Sequence, residues 1–215
     1  MRAECDAFGV SDAAGNESPA LLCAAFVRVG GVFRLHTWFP ADNMAIAERE
    51  LSAAVTVLVE VARPGMRAAW YSDNMAAVCV LRGMRSWSAR RSRNDLIVRL
   101  RAAFPQDNLV AAHVPGTQIV MDFFTRDDFG VAGTWSAPAC ECTLSLCPCA
   151  YAFLRQVYVS RGTRPDAERW DAHPQPRLLW PSACGELPDL FSPDLPVRAC
   201  ASAPSPETEP AWPFG

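Results

Sequence analysis

The chain has 215 residues, half of them apolar and a fifth charged, with a formal net charge of −3. That balance supplies a hydrophobic core and excludes collagen-like, coiled-coil and wholly disordered chains. Its longest apolar run, Ala20 to Val27, stops at eight residues, far short of the ~18 that a membrane span needs.

Asp6 to Asp12 reads as a short strand, and Ala13-Ala14-Gly15-Asn16 after it has the composition of a turn. Leu21 to Arg28 and Val32 to Trp38 are apolar, β-branched runs separated by Gly30-Gly31, a hairpin signal. Asp42 or Asn43 is placed to cap a helix running to about Val61, with Leu51, Val55, Leu58 and Ala62 at helical spacing. Pro64-Gly65 ends it. Ala68 to Ser72 is a fourth strand, followed by a helix from about Asn74 to Arg82 and a second helix from Arg90 on. Leu109 to Val114 is a fifth strand, and Pro115-Gly116 turns the chain into a last short helix. The order βββαβααβα predicts an α/β domain, a mixed sheet with helices on its faces.

Composition changes near Gly130. Five of the eighteen prolines precede residue 130 and thirteen follow, and the tail carries nine acids against six arginines where the first 129 residues balance at fourteen each. Residues 1–129 are therefore expected to fold as the domain, with 130–215 an irregular, partly disordered extension ending in the tract Ala203 to Glu209. Met1-Arg2-Ala3-Glu4 leads into no apolar segment, so no secretory signal is expected. Nine cysteines, an odd number in a chain of this size, favour a reducing intracellular compartment, nucleus or cytoplasm.

Four acids sit where such a sheet can gather them: Asp12 ending the first strand, Glu50 in the first half of the first helix, Asp73 ending the fourth strand, and Asp122 in the last helix. An aspartate at a strand end is ordinarily a turn former or cap; four at this spacing point to converged carboxylates. Such groups repel one another unless cations fill the gap, and hard oxygen ligands suit Mg²⁺ or Mn²⁺. Glu48 and Glu50 both border the apolar stripe of their helix, and periodicity does not choose between them. Asp6 is a rival to Asp12 for the first of these positions.

Four stretches, in order over about residues 5–128, resemble the ribonuclease H domain of retroelement reverse transcriptases, especially gypsy-like and DIRS-like elements. They are Ser11-Asp12-Ala13-Ala14-Gly15 with Ala24-Ala25-Phe26; Ile46-Ala47-Glu48-Arg49-Glu50-Leu51; Tyr71-Ser72-Asp73-Asn74-Met75-Ala76-Ala77-Val78; and Ala112-His113-Val114-Pro115-Gly116 followed by Asp122-Phe123-Phe124-Thr125-Arg126. The chain departs from the pattern after Pro115-Gly116, where it is one residue short, and at Met121, where the family carries Ala. The resemblance implies a ribonuclease H-like mixed five-stranded sheet. It selects Glu50 over Glu48 and makes Asp12, Glu50, Asp73 and Asp122 the catalytic, metal-binding set for two Mg²⁺ or Mn²⁺ ions. The implied activity is hydrolysis of the RNA strand of an RNA–DNA hybrid, with the 2′-OH separating RNA from DNA. A reverse transcriptase domain of a parent polyprotein is the implied partner, from which this chain reads as a detached or domesticated piece.

Asn74 is placed either to contact the hybrid or to cap its helix. Arg82, Arg85, Arg90, Arg91, Arg93, Arg99 and Arg101 fall in twenty residues that hold one acid, Asp95, with Trp87 among them. They form a phosphate-tracking face or a solvated one, and because all twenty basic residues of the chain are arginine, each is weakly informative; Arg90, Arg91 and Arg93 are the candidate contacts. Cys140, Cys142, Cys147 and Cys149 form C-x-C-x₄-C-x-C, which lacks the C-x₂-C knuckle of structural zinc sites, so incidental thiols are expected. His113 is read as a strand-end anchor for the Pro115-Gly116 turn rather than a proton shuttle. Two rivals remain at this stage: a catalytically degenerate domain of the same fold that binds nucleic acid or a partner, and a different nuclease of the fold, exonuclease or integrase-like.

Overall fold

A computed structural model describes residues 5–15, 21–40, 44–83, 91–105, 108–126, 128–141 and 146–173. The strands β1 (Ala7–Ala13), β2 (Cys23–Val29), β3 (Val32–Trp38), β4 (Ala68–Ser72), β5 (Leu109–His113) and β6 (Gly133–Pro138) form one sheet in the order β5-β4-β1-β2-β3-β6. The helices are α1 (Ile46–Val61), α2 (Met75–Leu81), α3 (Arg91–Ala103), α4 (Asp122–Thr125), α5 (Pro148–Arg161) and α6 (Ala167–Ala172). Neighbours β1, β2, β3 and β6 pair antiparallel, whereas β4 lies parallel to both β1 and β5. This is the mixed sheet with flanking helices expected of the α/β class. Gly30 and Gly31 take φ of 56° and 74°, the paired left-handed conformation of a tight hairpin turn, as their sequence suggested.

The sheet divides the apolar side chains by strand alternation. On one face Ala7, Val27, Ala68 and Trp70 pack with α1, α2 and α3 residues such as Leu51, Val55, Leu58, Val78 and Leu100. On the other, Phe8, Val10, Phe26, Phe33 and Tyr71 pack with Phe123, Phe124, Phe129, Phe153, Leu154, Tyr158 and Trp170. Trp70 is seated against β1 itself. Its ring leaves no room for a Cβ at Gly9, which would lie 2.1 Å from it, and its indole N–H donates to the Ser11 hydroxyl at 2.9 Å.

Through residue 173 the structure departs from the reading of 130–215 as irregular, and the rest of that extension lies outside the described residues. Residues 133–138 supply the sixth strand, pairing with β3, so the sheet has six strands rather than five. Helix α5 places Tyr151, Phe153, Leu154, Val157 and Tyr158 in the same core as β1–β3, and the main-chain amides of Thr163 and Arg164 bond the carbonyls of Phe129 and Asp128. Packing thus continues across Gly130 through residue 173. Proline density misled because Pro138 stands at the end of an edge strand and Pro148 at the first turn of a helix, two positions where a missing N–H costs nothing. Asn16, Asp42, Asn43, Arg85, Trp87, Arg90, Cys142 and the tract 203–209 lie outside the described residues. Helix α1 begins after Ala45, whose N–H donates to the Glu48 carboxylate at 3.4 Å.

Candidate active site

Parallel β1 and β4 end side by side. Val10 is level with Tyr71, so continuing that register by two residues sets Asp12 level with Asp73. Helix α1 lies against β1 and β2 and brings its second turn to the same end. The result is a cluster in which one carboxylate oxygen each of Asp12, Glu50 and Asp73 lies within 4.8 Å of the others. Asp12 and Glu50 are buried, 6% and 4% exposed, and Asp73 is partly exposed. Glu48 is occupied at the start of α1, which separates the two glutamates that periodicity left equivalent. Asp6 accepts the Arg67 N–H at 2.9 Å, outside the cluster and before β1 begins.

Burial and mutual repulsion set the protonation of the cluster. Burial, then the Asp73 charge, pushes Asp12 up to about 7, against the opposing hydrogen bond from Thr125. Burial, then the charges of Asp12 and Asp73, pushes Glu50 up to about 10. Asp73 is also raised, chiefly by burial, with a backbone amide and His113 opposing. Three such carboxylates do not all ionise near neutrality without a compensating cation. Glu50 Oε2 is fully buried and lacks a hydrogen-bond partner, a vacancy of donors that an oxygen-seeking cation would fill. The donor set is all carboxylate oxygen, so it fits Mg²⁺ or Mn²⁺.

Several neighbours position these groups. The Thr125 hydroxyl donates to Asp12 Oδ2 at 2.7 Å, from α4 on the face toward which Asp12 alternates with Phe8 and Val10. The His113 ring bonds the Asp73 carbonyl at 3.0 Å, so it ties the end of β5 to the end of β4 rather than to the Pro115-Gly116 turn. At Gly116 a Cβ would lie 2.9 Å from Asp73 Oδ2, so glycine lets the turn close over that carboxylate. The buried Arg49 guanidinium holds the Ala14 carbonyl at 3.2 Å, fixing the chain just beyond Asp12. Asn74 caps α2, its Oδ1 accepting the N–H groups of Ala76 and Ala77 at 3.0 and 3.1 Å.

Asp122 stands apart from the three. It lies near enough for its charge to raise Asp12 and Asp73, but its own oxygens are held by Arg126, at 2.7 and 2.8 Å, and by Arg169 of α6 at 3.2 Å. Arg169 also lies 4.9 Å from the Phe123 ring centre and 3.4 Å from Asp128. Of the arginine stretch, Arg82 and Arg101 bind main-chain carbonyls, Ala111 for the first and Val80 and Leu81 for the second. Arg93 is partly exposed and Arg99 exposed on α3; the side chain of Arg91 lies outside the described residues. Sequence reading assigned no role to Thr125, Arg49 or Arg169. Thr125 carried a signal, since it lies in the Asp122 to Arg126 stretch that carries the resemblance; Arg169 lay in the supposed extension, and its contact depends on tertiary packing.

No family model and no curated protein matches the chain. Among solved structures it is similar to RNase H1 of the halophilic archaeon Halobacterium salinarum, at 18% identity and TM-score 0.40, over 51% of this chain and 86% of that one. It is also similar to LC11-RNase H1 solved with an RNA/DNA hybrid, at 13% identity and TM-score 0.35, over 53% and 88%. A third is the N-terminal RNase H domain of a Mycobacterium tuberculosis protein fused to maltose-binding protein, at 14% identity and TM-score 0.35, over 53% and 84%. Among the described residues no helix is long and apolar enough to cross a membrane.

Proposed function

We propose that this chain is a ribonuclease H-type endonuclease, derived from a retroelement, that hydrolyses the RNA strand of RNA–DNA hybrids with two Mg²⁺ or Mn²⁺ ions. The observation that carries the reading is the approach of the Asp12, Glu50 and Asp73 oxygens to within 4.8 Å at the carboxyl ends of two parallel strands. The ordered motif set over residues 5–128 supports it. Asp12, Glu50 and Asp73 would hold the ions, with Asp122 completing the set. Bound there, the ions supply an activated water and charge neutralisation at the phosphodiester. Thr125 keeps Asp12 oriented and favours its ionised form. Asn74, beside Asp73, and Arg90, Arg91 and Arg93 would meet the hybrid, the arginines through phosphates. The cysteine content suits a reducing intracellular compartment, nucleus or cytoplasm, and a reverse transcriptase domain is the partner such an origin would supply.

The test is cleavage of a labelled hybrid in Mg²⁺ by the full chain and by Asp73→Asn. Wild-type cutting of the RNA strand, abolished in the variant, is expected; full activity in Asp73→Asn overturns the assignment. A second reading, a silent domain that binds hybrid without cutting it, is favoured by the two guanidinium groups on Asp122. Hybrid binding with no cleavage in either Mg²⁺ or Mn²⁺ would select it. Uncut hybrid beside degraded duplex DNA or single strands would point to a different nuclease of this fold.

A further inference from the structure

The second cluster of ligand atoms lies far from the carboxylates in sequence and chemistry. One sulfur each of Cys140, Cys147 and Cys149 lies within 4.8 Å of the others, and the Cys140 and Cys147 sulfurs are 3.2 Å apart. We propose that Cys140, Cys147 and Cys149 form a structural Zn²⁺ site that ties the end of β6 to the start of α5.

Geometry supports a shared metal. Zinc–thiolate bonds of ~2.3 Å in a tetrahedron set sulfurs about 3.8 Å apart; the three sulfurs all lie within 4.8 Å of one another, with the Cys140–Cys147 pair at 3.2 Å. The 3.2 Å between the Cys140 and Cys147 sulfurs is well beyond the ~2.05 Å of a sulfur–sulfur bond. The ligands are fixed from two sides. Cys140 follows β6, where the Ala139 N–H bonds the Gly31 carbonyl at 2.8 Å and the Arg28 guanidinium holds the Cys140 carbonyl at 2.7 Å. Cys147 caps α5, its sulfur accepting the Ala150 N–H at 3.4 Å, and Cys149 lies in the first turn of that fourteen-residue helix.

Electrostatics favour the same outcome. Binding Zn²⁺ would release the three thiol protons to solvent and leave three thiolates and the ion with a net charge of −1. The positive end of the α5 dipole and the Arg28 guanidinium both stabilise that charge. Sequence spacing argued against zinc because the familiar knuckle places both cysteines of a pair in one turn. Here the strand and the helix each present sulfur to a common point, which linear spacing does not encode. Cys147 is wholly buried against the sheet core, and Cys140 and Cys149 pack around it. The ion would therefore brace the α5–α6 layer that carries Arg169 to Asp122.

The experiment uses the full chain prepared under reducing conditions, with metal content measured after exhaustive dialysis and zinc X-ray absorption recorded on the wild type. One zinc per chain with at least three sulfur neighbours is expected. Replacement by Co²⁺ should give a sulfur-to-metal charge-transfer band, and after chelation in saturating Mg²⁺ the remaining loss of Tm should be restored by added Zn²⁺. In Cys149→Ser the zinc affinity should fall by more than the ~10–100-fold that losing an outer partner of a metal ligand costs. Absence of zinc together with absence of a thiolate band in the cobalt-treated wild type overturns the proposal, as does a zinc with only oxygen and nitrogen neighbours. These wild-type measurements decide the matter even where a serine variant fails to fold. Asp73→Asn should leave zinc content unchanged, which keeps this site's failure distinct from that of the nuclease reading.

Discussion

Thr125 shows how one hydroxyl adjusts a buried acid. Its hydrogen bond to Asp12 Oδ2 is one of the contacts that oppose the rise in the Asp12 pKa, because it stabilises the ionised form. Thr125→Val, isosteric but without the donor, should raise that pKa above about 7 and weaken Mg²⁺ binding at pH 7. The deficit should shrink as pH increases, and Thr125→Ser should restore binding. Calorimetric Mg²⁺ titrations at several pH values read this directly; a Val variant with wild-type affinity throughout would remove the role. Gly9 is the other position where one atom matters. An alanine methyl would meet the Trp70 ring at 2.1 Å, and the ring is held by Ser11 on the same strand. Gly9→Ala should cost at least the ~1–3 kcal/mol of an overpacked core, measured by urea denaturation.

At the scale of elements, the site follows from which ends meet. Parallel pairing of β1 with β4 puts two strand-end acids at one edge, the general location of ligand sites in sheets with parallel strands. Helix α1 adds Glu50, which lies about 200° round the helix from Glu48, so one glutamate meets the cluster while the other serves the helix start. Helix α6 acts against the site: Arg169 and Arg126 together neutralise Asp122. Arg169→Ala should leave the Asp122 charge less compensated and less tethered, tightening Mg²⁺ binding several-fold. The partly exposed ion pairs lost with it are worth only ~1 kcal/mol or less of stability. Mg²⁺ half-saturation measured beside thermal denaturation checks both parts, and weaker binding in the variant would mean that Arg169 orders the acid rather than masking it.

At the scale of the whole molecule, the carboxylate cluster couples folding to pH and to cations. Asp12 and Glu50 have folded-state pKa values of about 7 and about 10, above the ~4 of exposed carboxyls in an unfolded chain. Folding therefore takes up protons in that window. Without divalent ions, the contribution of these two carboxyls to stability should be greatest below pH ~4 and decline as pH rises through 7 toward 10. Cation binding to the ionised site should reverse the decline, so added Mg²⁺ should raise Tm at pH 8 and leave it nearly unchanged at pH 4. Differential scanning calorimetry across pH, with and without Mg²⁺, tests this; a Tm that is flat in pH and indifferent to Mg²⁺ would contradict it.

Much of this architecture was readable from local pattern. The strands β1 to β5, the glycine hairpin and the helices around 46–61 and 75–81 follow from apolar periodicity and turn residues, which act over a few neighbours along the chain. Asp12 and Asp73 were legible as strand-end acids for the same reason. Local pattern failed where the determinant was a partner distant in sequence. The edge strand Gly133–Pro138 forms only because β3 offers an open edge, and α5 only because the sheet has an uncovered apolar face. Neither the Arg169–Asp122 contact nor the meeting of Cys140 with Cys147 and Cys149 has a signature in spacing. Sequence by itself determined the elements and the acids they carry, since propensity and periodicity are short-range. Tertiary structure alone decided which of those acids come together and which is held aside by arginine, since desolvation and Coulomb energy depend on distances in space that only the packed sheet sets.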